Sequence, residues 1–255
     1  MHTIGFSTYG NGQIPIFFIH DWFNDQSYYE NIKPFLNSAI YKFIFVDLRG
    51  YGNSKSIYGK CSVEEAAKDI VNIADQLKIS QFHIVGHEMG ALVAQCLPLE
   101  APSRIKSISA ICPIPACGSQ IPDDAKEHLE NVTKGDIINA KAIAQYMTQN
   151  RYHDWFYERK ALNWFSCSSP AARKAYLHMF CETNISSLVR GLEIPTLVIC
   201  GDYDAPAHSA DRMQQTIMQD FRNSYLICLP CGHYPMEESP ILLAATLEKF
   251  WPGHS

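Results

Sequence analysis

The sequence predicts an α/β domain: a mostly parallel β-sheet with helices on both faces and one helical insertion. Two observations carry this expectation. Short apolar runs at 15–20, 42–47, 82–85, 104–112, 195–201 and 224–229 are near-continuous, as in strands buried on both faces. Helical patterns separate most of them, and strand–helix alternation builds parallel sheets. The 255 residues suffice for a single domain, 1–255, with a large core.

In chain order, residues 2–8 alternate weakly and lead into Tyr9-Gly10-Asn11-Gly12, a turn signal. After the run at 15–20, a polar loop and a helix are expected before the strand at 42–47. That strand ends in a glycine-punctuated loop, Leu48-Arg49-Gly50-Tyr51-Gly52-Asn53-Ser54, where Arg49 is expected to make structural hydrogen bonds. Ser62-Val63-Glu64-Glu65 reads as a capping box. Behind it Val63, Ala66, Ala67, Ile70, Val71, Ala74 and Leu77 recur at helical spacing. From 114 to 192 the chain reads as helices rich in aromatics and Met, with no β-run, which predicts a lid. Its Met147, Trp155, Trp164 and Phe165 are candidates for lining a pocket. A closing helix is expected over 241–250.

Apolar residues make up 47% and charged residues 18%, the balance of a soluble globular protein. The net charge of −5, without a basic cluster, argues against nucleic acid and membrane surfaces as partners. No apolar run approaches spanning length, and the start Met1-His2-Thr3-Ile4-Gly5 shows no leader, so a cytoplasmic location is expected. A small-molecule substrate is the expected partner; the oligomeric state stays open. The nine cysteines are expected to be reduced, several as buried small hydrophobes (Cys96, Cys112, Cys200). Cys228 and Cys231 form a lone C-x-x-C that fits packing better than zinc or redox chemistry; neither metal nor cofactor is expected.

The stretch Gly86-His87-Glu88-Met89-Gly90 joins the apolar strand at 82–85 to a helical pattern from Ala91. This is the layout of a nucleophile elbow, G-x-S-x-G, whose sharp turn lifts one side chain above a parallel sheet. Here the lifted residue is Glu88. Other strand ends carry His20-Asp21-Trp22, Gly201-Asp202-Tyr203-Asp204 and Gly232-His233. Ligands bind at that edge of such sheets.

These segments resemble the α/β-hydrolase superfamily, and within it a bacterial serine-hydrolase, esterase-like group. The resemblance rests on His20-Asp21-Trp22-Phe23, Asp47-Leu48-Arg49-Gly50-Tyr51-Gly52-Asn53-Ser54, Gly86 to Gly90, Pro113-Ile114-Pro115-Ala116-Cys117-Gly118 and Gly232-His233-Tyr234-Pro235-Met236-Glu237-Glu238-Ser239-Pro240. It implies that His233 is the catalytic histidine, Asp204 the acid that orients it, and the amides of Trp22 and Met89 the oxyanion-hole donors. His20, Asp21 and His87 become possible site neighbours. Two positions depart from the group's pattern: Glu88 replaces serine, and Asp21 replaces the glycine after the histidine.

A carboxylate at the elbow is poor for ester hydrolysis, because attack on an acyl carbon gives an anhydride. Three uses remain open: a nucleophile toward saturated carbon, as in epoxide hydrolases and dehalogenases; a general base; or a plug of its own oxyanion hole. An ester or thioester hydrolase altered at residue 88, by divergence or by engineering, and a non-catalytic ligand-binding protein fit the same sequence. Glu88 and His233 are expected on adjacent strand ends, with the carboxylate raising the His233 pKa.

Overall fold

A computed structural model describes residues 3–251. Its centre is a seven-stranded sheet in the order β1-β3-β2-β4-β5-β6-β7. The strands are β1 Phe6–Tyr9, β2 Ile14–Ile19, β3 Tyr41–Val46, β4 Phe82–His87, β5 Ile105–Ile111, β6 Thr196–Gly201 and β7 Ser224–Leu229. Only the β1–β3 pairing is antiparallel. The weakly alternating stretch 2–8, whose first residue lies outside the described ones, contributes to β1 from Phe6 onward. Pro15 is tolerated in β2 because pairing with β4 begins only at Ile16.

The helices, in chain order, are α1 Val63–Gln76, α2 Met89–Glu100, α3 Asp123–Val132, α4 Ile137–Met147, α5 Asp154–Cys167, α6 Pro170–Glu182, α7 Ser186–Val189, α8 Ala210–Gln214, α9 Ile217–Asp220, α10 Pro235–Glu238 and α11 Pro240–Phe250. Helices α3 to α7 make up the insertion between β5 and β6. An isolated bridge from Tyr51 to Ser168 ties it to the glycine loop. One sheet face packs on α1, α2 and the insertion through residues such as Ile70, Leu92 and Trp164. The other packs on α11 through Phe18, Phe45 and Trp251.

Some local expectations need correction. The helix expected between β2 and β3 is two short 3₁₀ stretches, Gln26–Asn31 and Lys33–Phe35. Pro34 lacks an N–H and restricts Lys33, so an α-helical ladder cannot run through this stretch. The capping box is only half formed. Ser62 Oγ accepts from the Glu65 amide at 3.2 Å, but Glu65 Oε2 accepts from Cys61 N, one residue before the cap. On α1, Ile73 is fully buried, whereas Val71 and Leu77 are half-buried. Arg49 bonds Asp69 through Nε (2.6 Å) and Nη2 (2.8 Å) and donates to the Tyr58 carbonyl, fixing the glycine loop to α1.

Candidate active site

The turn from β4 into α2 is as tight as the glycine spacing implies. A Cβ on Gly86 would lie 2.2 Å from the Gly90 carbonyl oxygen, and one on Gly90 would lie 2.5 Å from that of Ile19. Glu88 takes φ 50 and ψ −110, a strained conformation for a non-glycine residue. The turn is held by Glu88 N donating to Ile111 O at 3.0 Å and by Ile114 N donating to Glu88 O at 3.2 Å.

The Glu88 side chain folds back onto two backbone amides. Its Oε2 accepts from Trp22 N at 2.9 Å and from Met89 N at 3.0 Å. Trp22 is held there by several contacts. His20 Nε2 accepts from Leu48 N at 3.1 Å, so its Nδ1–H donates to the Asp21 carbonyl at 2.7 Å and fixes the bend after β2. The Trp22 indole N–H donates to Arg173 O, and Tyr51 OH donates to the Trp22 carbonyl.

Asp204 and His233 form the second half of the centre. His233 Nδ1 donates to Asp204 Oδ2 at 2.9 Å, with Oδ1 at 3.0 Å, and both residues are buried. Burial pulls the His233 pKa down, but Asp204 first, then Glu88 and Asp21, push it up to about 9. Burial raises Asp204, yet His233 and His208 win and hold it below the usual carboxylate range. Glu88 is pushed up to about 7 by burial, against the pull of His233 and the two amides. The expected rise at His233 therefore owes more to Asp204 than to Glu88. Glu88 and His233 also do not stand on adjacent strands: β5 and β6 separate β4 from β7. The loop after β7 spans that gap, with His87 Nε2–H donating to the His233 carbonyl at 2.8 Å.

The comparisons agree with this fold. A family model described as the alpha/beta hydrolase fold matches residues 14–136. A hydrolase from Oleispira antarctica superposes with a TM-score of 0.83 at 21% identity, covering 97% of this chain and 94% of that one. The chain is an α/β-hydrolase-fold protein. It is 25% identical over 258 residues to the pimeloyl-[acyl-carrier protein] methyl ester esterase of Nitrosomonas europaea, covering 94% of this chain and 96% of that relative. It also matches the dihydrolipoyllysine-residue acetyltransferase component of an acetoin cleaving system from Cupriavidus necator. There the identity is 29% over 106 residues, and the match spans 28% of that longer protein.

Asp21, the second departure in this hydrolase fold, lies behind the elbow. Both its oxygens accept from Asn24 Nδ2, and its Oδ2 is 3.6 Å from His87 Nδ1. Burial raises its pKa, opposed by Lys160, Asn24 and His233. Since His87 Nε2 carries the hydrogen, Nδ1 presents a lone pair to that carboxyl group. Burial and the neighbouring His233 hold His87 neutral, its pKa well below the ordinary value. Sequence reasoning missed Lys160, which α5 buries over the rings of Tyr234 (3.9 Å) and Tyr28 (4.3 Å), ion-paired with Glu237.

The aromatic and Met candidates of the insertion are placed unevenly. Trp164 is fully buried, stacked on Phe23 at 4.2 Å and edge-on to Trp22 at 4.5 Å. Phe165 is half-buried under the Arg173 guanidinium. Met147 reaches the centre through its backbone, accepting from His233 N at 3.2 Å. Trp155 is 59% exposed and does not join them. On α5 the buried face is Tyr157, Lys160, Ala161 and Trp164, and a residue two before Tyr157 falls on the opposite side.

His208 was also missed. Its ring lies 4.6 Å from that of His233, and its Nδ1–H donates to the Pro113 carbonyl at 3.1 Å. Burial lowers its pKa to about 4, so it is a neutral wall beside the Asp204–His233 pair. Its only sequence signal was a second histidine four residues after Asp204. His87, Cys112 and His233 bring possible metal-ligand atoms within 4.8 Å of one another. His87 Nε2 and His233 Nδ1 are hydrogen-bonded, and burial raises the Cys112 thiol well above its ordinary range, so it stays protonated. All nine cysteines are free; in the C-x-x-C, Cys228 is exposed and Cys231 buried. Among the described residues no helix is long and apolar enough to cross a membrane.

Proposed function

We propose that this protein is a hydrolase of esterase or thioesterase descent that acts on a small, largely apolar substrate, with Glu88 as a carboxylate nucleophile. One observation carries the reading: Oε2 of Glu88 is anchored by both the Trp22 and Met89 amides, which leaves Oε1 to attack. Attack on an acyl carbon would form an anhydride, so the chemistry fits a saturated carbon. Oε1 bonds to that carbon while its bond breaks to a halide, which leaves as the anion, or to an epoxide oxygen, which takes the proton of the His233 imidazolium. Water then attacks the Glu88 carboxyl carbon of the resulting ester, releasing the alcohol and regenerating the carboxylate. During that step Oε2 becomes the oxyanion, already between its two donors.

His233 takes the water proton, oriented by Asp204. Glu88 is one of the anions that favour the charged imidazolium. Esterification neutralises it, so the imidazole gives up its proton more readily at the step that requires a base. The insertion 114–192 acts as the lid, with Trp164 over Trp22. The test is His233→Gln incubated with a panel of epoxides and haloalkanes. Intact mass should show an alkyl adduct, localised by peptide mapping to Glu88; an adduct-free protein across the panel argues against the nucleophile.

A second reading, a ligand-binding protein without turnover, is favoured by the closure of the site. Glu88 is 6% and His233 2% exposed, and the carboxylate occupies the hole that an ester carbonyl would need. On that reading neither adduct nor turnover is expected, while the parent protein still binds ligand.

A further inference from the structure

A cavity of about 330 Å³ opens between the loop after β5 and the segment 204–212, lined by Ile114, Pro115, Ser119, Gln120, His208 and Arg212 among others. Its loop is the Pro113-Ile114-Pro115-Ala116-Cys117-Gly118 motif, to which the chemistry above assigns nothing. The cavity adjoins the catalytic centre at two points. Ile114 N donates to the elbow carbonyl of Glu88 at 3.2 Å, and His208 packs its ring on His233 at 4.6 Å.

Arg212 on α8 is the charged group of this cavity, and among the described residues it has no acidic partner. Its one side-chain hydrogen bond, Nη2 to Cys117 Sγ, is 3.7 Å long, and a thiol is a weak acceptor. Other arginines on the surface are neutralised: Arg104 by Asp75, Arg159 by Glu237, Arg151 by Glu238. The buried Arg173 also lacks a carboxylate, but it spends its donors on Thr133 O, Ser168 O and Ser168 Oγ. A guanidinium fork matches a carboxylate in a two-point contact, and the polar side chains of Ser119 and Gln120 lie in the same cavity.

We propose that this cavity is the subsite for an anionic end group, and that the substrate is a short carboxylic acid whose reacting carbon lies at the far end of an apolar stem. The carboxylate pairs with Arg212, the stem runs along Ile114 and Pro115, and the reactive end reaches past His208 toward His233. The volume suits a chain of a few carbons. His208 is uncharged, so it does not compete with Arg212 for the anion. This proposal rests on the reading that His233 and Glu88 form the reacting centre.

Pentanoate, which carries no leaving group, is titrated into the full-length protein while the His208 ring is followed by NMR. Pentanamide, its neutral analogue, is the control. Because nothing reacts, the result does not depend on whether Glu88 is a nucleophile. A saturable shift at His208 with pentanoate is expected, weakened at least about tenfold in Arg212→Gln and restored only in part by Arg212→Lys, with pentanamide giving no saturation. Equal pentanoate affinity in the parent and Arg212→Gln, equal binding of pentanamide and pentanoate, or no saturable shift in the parent would each overturn the subsite. An Arg212-dependent shift in a protein that forms no Glu88 adduct would uphold the subsite and remove only the nucleophile.

Discussion

The two halves of the candidate centre differ in what matches the resemblance. On the acid–base side Asp204 and His233 stand as the family pattern implies, in a direct hydrogen-bonded ion pair. On the nucleophile side the amides of Trp22 and Met89 remain, but the group between them is a carboxylate, and Asp21 adds a second acid behind it. A hole shaped for negative charge accepts a glutamate oxygen as readily as a substrate oxyanion, because both present an anionic oxygen to the same N–H groups. The departure at residue 88 therefore alters the group in the hole while leaving the surrounding scaffold in place.

The largest expected effect comes from undoing that substitution. Glu88→Ser empties the hole and supplies a hydroxyl beside His233. Hydrolysis of short aryl esters should rise by about 10²–10³ over the parent, the range associated with a single oxyanion-hole donor. The variant should also react with fluorophosphonate probes. Equal rates in parent and variant would show that the nucleophile half is closed by more than residue 88.

The two halves should also contribute unequally to the charge on His233. Burial opposes the imidazolium, Asp204 is the strongest influence favouring it, and Glu88 follows. Asp204→Asn should therefore lower the His233 pKa from about 9 by more than Glu88→Gln does, as read by NMR titration. Equal shifts would make the two carboxylates equivalent partners and erase the asymmetry.

A smaller effect is the pH dependence of stability. His233 is raised to about 9, so its contribution is fully present below its unfolded pKa of about 6.5 and is lost as pH rises through 9. Glu88 is raised from 4.5 to about 7, so it too favours the folded state at low pH and loses that contribution as pH rises through 7. Below about pH 6.5 the lowered His87 and His208 act in the opposite direction, so urea unfolding should show stability falling between about pH 7 and pH 9. Glu88→Gln should flatten mainly the lower part of that fall. A parent protein that grows more stable over the same window would contradict the signs assigned to both groups.

The sheet was legible because β2 to β6 are buried on both faces, which leaves near-continuous apolar runs in the sequence. The elbow was legible because no residue larger than glycine fits at 86 and 90. What escaped depended on contacts made far along the chain. His208 sits in a loop without a motif, and only the return of the chain after β7 brings His233 against it. Lys160 belongs to no motif, yet it shares the buried phase of Tyr157, Ala161 and Trp164 and finds Glu237 on α10. Trp155 misled because aromatic content was weighed without helical phase.

The central claim, that Glu88 is the attacking carboxylate, is tested most directly by turnover in heavy-oxygen water of a substrate found with the epoxide and haloalkane panel. Hydrolysis of a Glu88 ester at its carboxyl carbon leaves the water oxygen on the protein. The peptide containing Glu88 should therefore gain heavy oxygen, and the alcohol formed in the first turnover should carry none. Label in the first-turnover product, with an unlabelled Glu88 peptide, would mean that water attacked the substrate directly and that Glu88 is not the nucleophile.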